Sequence, residues 1–319
     1  MPRRATRPAV KPSQPRILCA GLSCVDNIWL VDEFPPRASR TDASGYRLQG
    51  GGPAATAAAA VARLGGTAHL WALHGDDPAG AAALAELERM GVDLGGVQRQ
   101  PGAVSWVSSV LVEPDGERWI FPYRGSNLID RPPERPWPEN IDAVLVDLRH
   151  ERLCEAALDW AREVGAVTVG DVSNTRHWHL TGQLDVLIAS EECAREVAGS
   201  GDEEGWPQAL RSFEGQVVGV TLGPRGYLWD EGDGLERAPA FPVEAVDTTG
   251  AGDVFHGAYA FALGLGLSHR ECAAFAQATA ALSCLGLGRS ALPDREQIEE
   301  FLLERGATVS GVTGRAGGD

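Results

Sequence analysis

The sequence predicts an α/β protein whose mainly parallel central sheet is covered by helices on both faces. Three observations predict it. Short, nearly continuous apolar runs, IDAVLVDLR, GAVTVGDVS, DVLIAS and QVVGVTLG, recur through the middle of the chain, and a strand apolar at almost every position is one buried on both faces. Helical segments such as RLCEAALDWAREVG fall between them, which is the βαβ alternation of a parallel sheet. With 319 residues and 44% hydrophobic side chains, the chain can build one large core or two small ones.

The elements follow in order. The basic, Pro-rich start MPRRATRPAVKPSQPR leads into no apolar stretch before a cleavage site, so residues 1–15 are expected to form a disordered leader. From Arg16, RILCAGLSCVDNIWLV reads as a buried first strand and the loop beyond its carboxyl end. A polar segment from Asp32 to Gln49 precedes a helix from Ala54 to Leu64, stopped by Gly65-Gly66. TAHLWALHGDD is a strand entering a loop, and AGAAALAELERMG a helix with a glycine stop. AVSWVSSVLVEPDGERWIFPY places two alternating apolar runs around Pro-Asp-Gly, a hairpin. After the central strands, DVFHGAYAFALGLGLS and ECAAFAQATAALSCLG are apolar helices and DREQIEEFLLERG is the last helix. Residues 16–306 are thus expected to form the folded domain, and the Gly-rich 307–319 a loose tail.

Charge and cysteine usage narrow the function. Against 28 Lys and Arg stand 44 Asp and Glu, a net charge of −16, which opposes binding to nucleic acid or an acidic membrane surface. No window approaches the roughly 18 apolar residues of a membrane span. The cysteines at 19, 24, 154, 193, 272 and 284 form no CxxC pair, as expected for reduced thiols in a cytoplasmic protein. The histidines show no zinc spacing, and neither a P-loop nor a G-x-S-x-G elbow occurs.

The segment Val246-Asp247-Thr248-Thr249-Gly250-Ala251-Gly252-Asp253-Val254-Phe255 carries the most chemistry. Glycines let the backbone turn into a helix beginning at Asp253, and a helix N-terminus binds anions through free amides. Asp253 there is either a base taking a proton from a hydroxyl that attacks phosphorus, or a helix cap. Gly50-Gly51-Gly52-Pro53-Ala54-Ala55 formally matches a dinucleotide fingerprint. It follows a long polar excursion instead of the first βα turn, so close approach to a sugar, or tight helix packing, is the better reading. Asp26 follows the first strand, Thr221-Leu222-Gly223-Pro224-Arg225-Gly226 follows another, and Arg149 ends DAVLVDLR; these are positions where open α/β sheets place ligand residues.

At DTTGAGDVFHGA and GGGPAATAAAAVARLGG the chain resembles the two signatures of the ribokinase-like (pfkB) carbohydrate kinases. GLSCVDNIWLVDEFP, GDDPAG and TLGPRG match three further family segments in order, and the resemblance spans about Arg16 to Arg305. It implies a three-layer α/β/α domain with a small β-sheet lid, formed by about 27–48 and 104–123, through which members often form homodimers. It implies Asp253 as general base, with the amides of Gly250, Ala251 and Gly252 as anion hole and Mg–ATP as donor. Asp26, Gly51, Gly52 and Thr56 would meet the sugar, Thr56 standing where many relatives have Asn. Thr221, Gly223 and Gly226 would border ATP, and Asp247, Thr249 and Ser290 match groups that hold potassium in several relatives. The family's N-x-x-E, linked to magnesium, appears as Ser190-Glu191-Glu192-Cys193. GGGPAATAA with VDTTGAGDVFHGA is similar to the sulfofructose kinase branch, in which Arg40 and Arg149 would hold the sulfonate while Pro122 replaces a third anion-binding residue.

The expected activity is ATP-dependent phosphorylation of a primary hydroxyl of a ketose, with the C1 hydroxyl of 6-deoxy-6-sulfofructose as the leading candidate. The alternatives are a kinase for an uncharged or carboxylate-bearing sugar or a nucleoside, a non-catalytic sugar sensor, and, weakest, an NAD-dependent dehydrogenase.

Overall fold

The computed structural model describes residues 14–34, 40–113, 118–199, 201–307 and 309. In chain order its strands are β1 (Arg16–Ala20), β2 (Cys24–Leu30), β3 (Gly45–Gly51), β4 (Thr67–Gly75), β5 (Asp93–Gln100), β6 (Val107–Val112), β7 (Arg118–Tyr123), β8 (Ala143–Val146), β9 (Val167–Val172), β10 (Val186–Ser190), β11 (Val217–Thr221), β12 (Tyr227–Asp230) and β13 (Leu235–Ala238). The helices are α1 (Pro53–Arg63), α2 (Pro78–Arg89), α3 (Glu151–Val164), α4 (Glu191–Ala198), α5 (Trp206–Leu210), α6 (Ala251–Gly264), α7 (His269–Ser283) and α8 (Arg295–Glu304).

Nine strands make the main sheet in the order β13-β12-β11-β10-β9-β8-β1-β4-β5, parallel from β5 through β11 and antiparallel at β12 and β13. Both of its faces are dry. Along β1, Ile17 and Cys19 join one core cluster while Leu18 and Ala20 join the other, as the two-residue period of a strand requires. One cluster holds side chains of α1, α6, α7 and α8, the other those of α3, α4 and α5, giving helix, sheet and helix layers. A Cβ on Gly257 would lie 2.6 Å from the Ala57 carbonyl oxygen, so the alanine-rich α1 and α6 cross with backbones nearly touching.

Strand order reverses between β1 and β8, and at such a switch point ligands lie beyond the carboxyl ends of the strands. The second sheet, β3-β2-β6-β7, stands there. β2 runs antiparallel to β3 and parallel to β6, and β6 pairs with β7 from Val107↔Tyr123 to Val112↔Arg118.

Several details depart from the sequence reading. The run from Arg16 to Val31 is two strands, because the chain leaves the main sheet at Gly21, whose missing Cβ makes room for Asp147: a Cβ would lie 2.0 Å from its Oδ1. Asp26 therefore sits within a lid strand instead of a loop. The end of the polar segment forms β3, and β5, β12 and β13 had no counterpart in the reading. Helix α6 begins at Ala251, two residues before Asp253. The leader through residue 13, lid residues 35–39, the hairpin tip 114–117 and most of the 307–319 tail lie outside the described residues. No helix among the described residues is long and apolar enough to cross a membrane.

Candidate active site

Gly250 is the N-cap of α6 and adopts φ 76°, a left-handed conformation that glycine takes without the Cβ penalty. Asp253 falls in the first turn and makes no capping bond, so the cap alternative does not hold. The first amides of a helix have no intrahelical acceptor; here that of Ala251 reaches the Thr248 carbonyl at 3.3 Å, and Gly250 and Asp253 line a pocket with Asp26, Gly50, Gly51, Gly52, Thr56 and Arg289, among others.

Close packing against charged side chains and backbone explains the glycine cluster. A Cβ on Gly51 would lie 2.1 Å from Asp26 Oδ2, and one on Gly50 2.4 Å from Arg289 Nη1. Gly52 has φ 93° and passes 2.5 Å, at its Cβ position, from the Leu22 carbonyl. Burial raises the Asp26 pKa, while hydrogen bonds from Ser108 and Cys24 and the charge of Arg289 hold it back. Arg289 donates through Nη2 to the Gly51 carbonyl at 3.0 Å and to Thr56 Oγ1 at 3.1 Å. Sequence reasoning missed it, since an arginine in GLGRSALP shows no sign that its guanidinium will be buried.

Three further buried groups were also missed. Asp147, 1% exposed, accepts the Leu22 and Ala54 amides at 2.7 and 3.2 Å and the Arg149 amide at 3.0 Å, anchoring the start of α1. Asp171 and His256 face each other with Nδ1–Oδ2 at 3.4 Å. Burial, helped by the charge of Asp147, raises the Asp171 pKa, and burial lowers that of His256 to about 4 against the pull of Asp253. For Asp253, burial is again the first cause of a raised pKa; Asp171 and Asp147 push the same way, His256 and Arg149 the other.

On the nucleotide side, Thr221 ends β11 and its Oγ1 donates to the Ala189 carbonyl at 3.3 Å. The following turn is closed by the Leu222 amide on the Gly226 carbonyl at 2.8 Å; Gly223 and Gly226 both have positive φ. Ser190 caps α4, Glu191 is held by Arg195 and Arg225 at 2.6 and 2.7 Å, and Glu192 is the exposed carboxylate that remains in place of the family's N-x-x-E. Asp247 accepts the Thr249 and Gly288 amides at 2.8 and 3.3 Å, Thr249 Oγ1 accepts from Arg118 at 2.7 Å, and Ser290 donates to the Leu287 carbonyl. Asp247 and Thr249 thus already accept from protein donors, a guanidinium among them, while the Ser290 hydroxyl proton is taken by a carbonyl.

Arg149 bonds Ser173 Oγ at 2.8 Å and lines, with Trp106, Arg124, Asn174, Thr175, Arg176 and Glu196, a cavity of about 450 Å³. Its charge reaches Asp253. Arg40 does not line that cavity; it is 92% exposed, 3.8 Å from Asp42. Pro122 is exposed on β7.

Residues 14–295 match the family described as pfkB family carbohydrate kinase. The chain is 31% identical over 302 residues to an ATP-dependent ribose-1-phosphate kinase of Halopiger xanaduensis, covering 91% of this chain and 99% of that protein. It is 27% identical over 307 residues to a ribokinase of Bacillus subtilis, covering 90% and 99%. A solved structure of a putative ribokinase from Agrobacterium tumefaciens superposes with a TM-score of 0.84 at 31% identity, covering 92% of this chain and 98% of that one. A ribokinase-like fold, this pocket and these relatives together place the chain in the pfkB family of carbohydrate kinases, as a sugar or nucleoside kinase.

Proposed function

We propose that the protein transfers the γ-phosphoryl group of ATP to a primary hydroxyl of a ketose or related sugar, with Asp253 as general base. The observation that carries this is the position of Asp253 in the first turn of α6, in one pocket with Asp26, Gly51 and Gly52. Asp26 and the glycine loop receive the sugar. Asp253 takes the proton of the attacking hydroxyl as its oxygen bonds to the γ-phosphorus, and the bond to the β-phosphate oxygen breaks to release ADP. The amides at Gly250, Ala251 and Gly252 face the charge that develops on the transferred group. A raised pKa makes the Asp253 carboxylate a stronger base while leaving it ionisable near neutrality. Magnesium, arriving with the nucleotide, would neutralise phosphate charge.

The narrower reading is the C1 hydroxyl of 6-deoxy-6-sulfofructose as acceptor. Its support is the cavity holding Arg149, Arg124 and Arg176 in a chain of net charge −16; Arg40 adds nothing to it. An uncharged sugar or a nucleoside is the alternative. Measuring ADP release with ribose, fructose, 6-deoxy-6-sulfofructose and a nucleoside tests both levels. Asp253→Asn should lower kcat by about 10²–10⁴ with ATP binding kept, and near-normal turnover in that variant would overturn the assignment.

A further inference from the structure

We infer that Arg289 and Glu86 form a positioning pair for the acceptor sugar, clamping the Gly50–Gly52 loop from beneath and fixing Thr56 as a hydroxyl donor into the pocket. The inference rests on the kinase reading above and assigns a role to two residues that lie in none of the matched motifs. Glu86, on α2, accepts the Gly50 amide at 3.3 Å and faces Arg289 Nη1 at 3.5 Å through the same Oε2. Nη2 of Arg289 holds the next carbonyl, that of Gly51, and Thr56 Oγ1, one turn into α1. Two consecutive glycines and the start of the following helix are thereby tied to one ion pair whose arginine side chain is 3% exposed.

The chemistry follows from what each atom has left. A guanidinium is only a donor, so it occupies a lone pair of Thr56 Oγ1 and turns the hydroxyl proton away from itself. Thr56 lies against the anion-hole turn, with its Cγ2 3.4 Å from the Cβ position of Gly250, so that proton is available beside Asp253. Among the pocket-lining side chains, Asp26, Asp247 and Asp253 are acidic and Arg289 is basic. Its charge offsets acids that the acceptor must approach. A buried pair is costly to break, because removing one partner strands the other, so the loop has one held arrangement. Arg289 also follows Gly288, whose amide bonds Asp247, joining the acceptor loop to the segment that enters the anion hole.

The test uses the full-length protein, with ribose, fructose and 6-deoxy-6-sulfofructose as acceptor probes. Glu86→Gln and Arg289→Lys should each raise the KM of whichever probe is turned over by about tenfold, with kcat and the KM for ATP changed only a few-fold. Both variants should also speed amide hydrogen exchange in residues 50–56 of the apo protein. Equal losses in kcat and KM, or a matching rise in the KM for ATP, would reduce the pair to general support and overturn the inference. If wild type turns over none of the probes, the acceptor assignment fails, and exchange alone decides the clamp. Unchanged exchange at 50–56 in both variants refutes it. Should Arg289→Lys not fold, Glu86→Gln, at a partly exposed site, carries the same measurements.

Discussion

His256 Nδ1 lies 3.4 Å from Asp171 Oδ2, with both side chains almost fully buried directly behind the Asp253 turn. Burial pushes the carboxyl up to about 7 and the imidazole down to about 4, so near neutrality the imidazole is uncharged while Asp171 and Asp253, both raised, oppose each other's ionisation.

That arrangement gives stability a testable pH dependence. Asp171 has a folded pKa above its unfolded one, so its contribution is full below the unfolded value near 4 and is lost as pH rises through the raised value. His256, with a lowered folded pKa, acts oppositely, losing stability as pH falls below about 6.5. The two offset each other between them. Asp171→Asn removes only the acid's share, so the melting temperature of the variant relative to wild type should climb between pH 5 and 7, by roughly 2–4 °C per kcal/mol. A difference that stays constant over that range would contradict a raised Asp171 pKa.

The same pair bears on the rate. Asp253 must be ionised to act as base, so kcat/KM should fall as pH drops through a value well above the ordinary carboxylate range. Asp171 pushes the Asp253 pKa up; Asp171→Asn should therefore move the acidic limb to lower pH. An unmoved limb would mean that the two carboxyls do not sense each other.

The glycines of the anion hole separate by cause. Gly250 needs its left-handed φ, so Gly250→Ala should cost both stability and activity, about 1 kcal/mol or more in stability. Gly252 has no atom within 4 Å of its Cβ position and no positive φ, so Gly252→Ala should melt within about 1 °C of wild type. Any rise in its KM for ATP then reports crowding of the bound phosphates. A large melting shift in Gly252→Ala would show that this glycine is structural.

How far the site could be read ahead depends on whether a residue's role is local. Asp253, Gly250 and the parallel strands announce themselves through neighbours in sequence: a glycine-rich turn, an apolar run, a helix. Arg289 meets Thr56 from 233 residues away, Asp147 meets Leu22 across 125, and His256 meets Asp171 only because α6 lies over β9. No pattern along the chain marks such partners. The boundary at Gly21 was hidden for the same reason, since the apolar run continues unbroken while the backbone changes sheets. The edge strand β13 was missed because a half-exposed strand such as LERA lacks the continuous apolar pattern that identified the central ones, and β12 because its buried run is only YLW.

The lid presents an apolar face with no cover in a single chain. Trp119, Ile120 and Phe121 are each about half exposed on the edge strand β7, and Tyr46 and Leu48 on β3. An exposed apolar edge strand is a pairing surface, and a second copy of the same lid is the expected occupant. Wild type should sediment as a dimer, and Trp119→Glu with Phe121→Glu should shift it to monomer with the melting transition intact. A monomeric wild type at micromolar concentration would refute this.

The proposed anionic acceptor can be tested at Arg149. That residue follows the carboxyl end of β8, on the ligand side of the switch point, and shares its cavity with Arg124 and Arg176, opposed there by Glu196. At about 4 Å and an effective dielectric near 20, one ion pair has a gross attraction of about 4 kcal/mol. Desolvation cancels part of it, leaving roughly 1.5–3 kcal/mol for a charged hydrogen bond, which is tenfold or more in kcat/KM. Wild type should therefore prefer 6-deoxy-6-sulfofructose over fructose by at least about that factor. Arg149→Met should collapse the preference while leaving turnover of fructose within a few-fold. A wild type that prefers fructose, or a ratio unchanged by the substitution, would eliminate the anionic acceptor and leave the proposed role of Asp253, which lines a different pocket, to its own test.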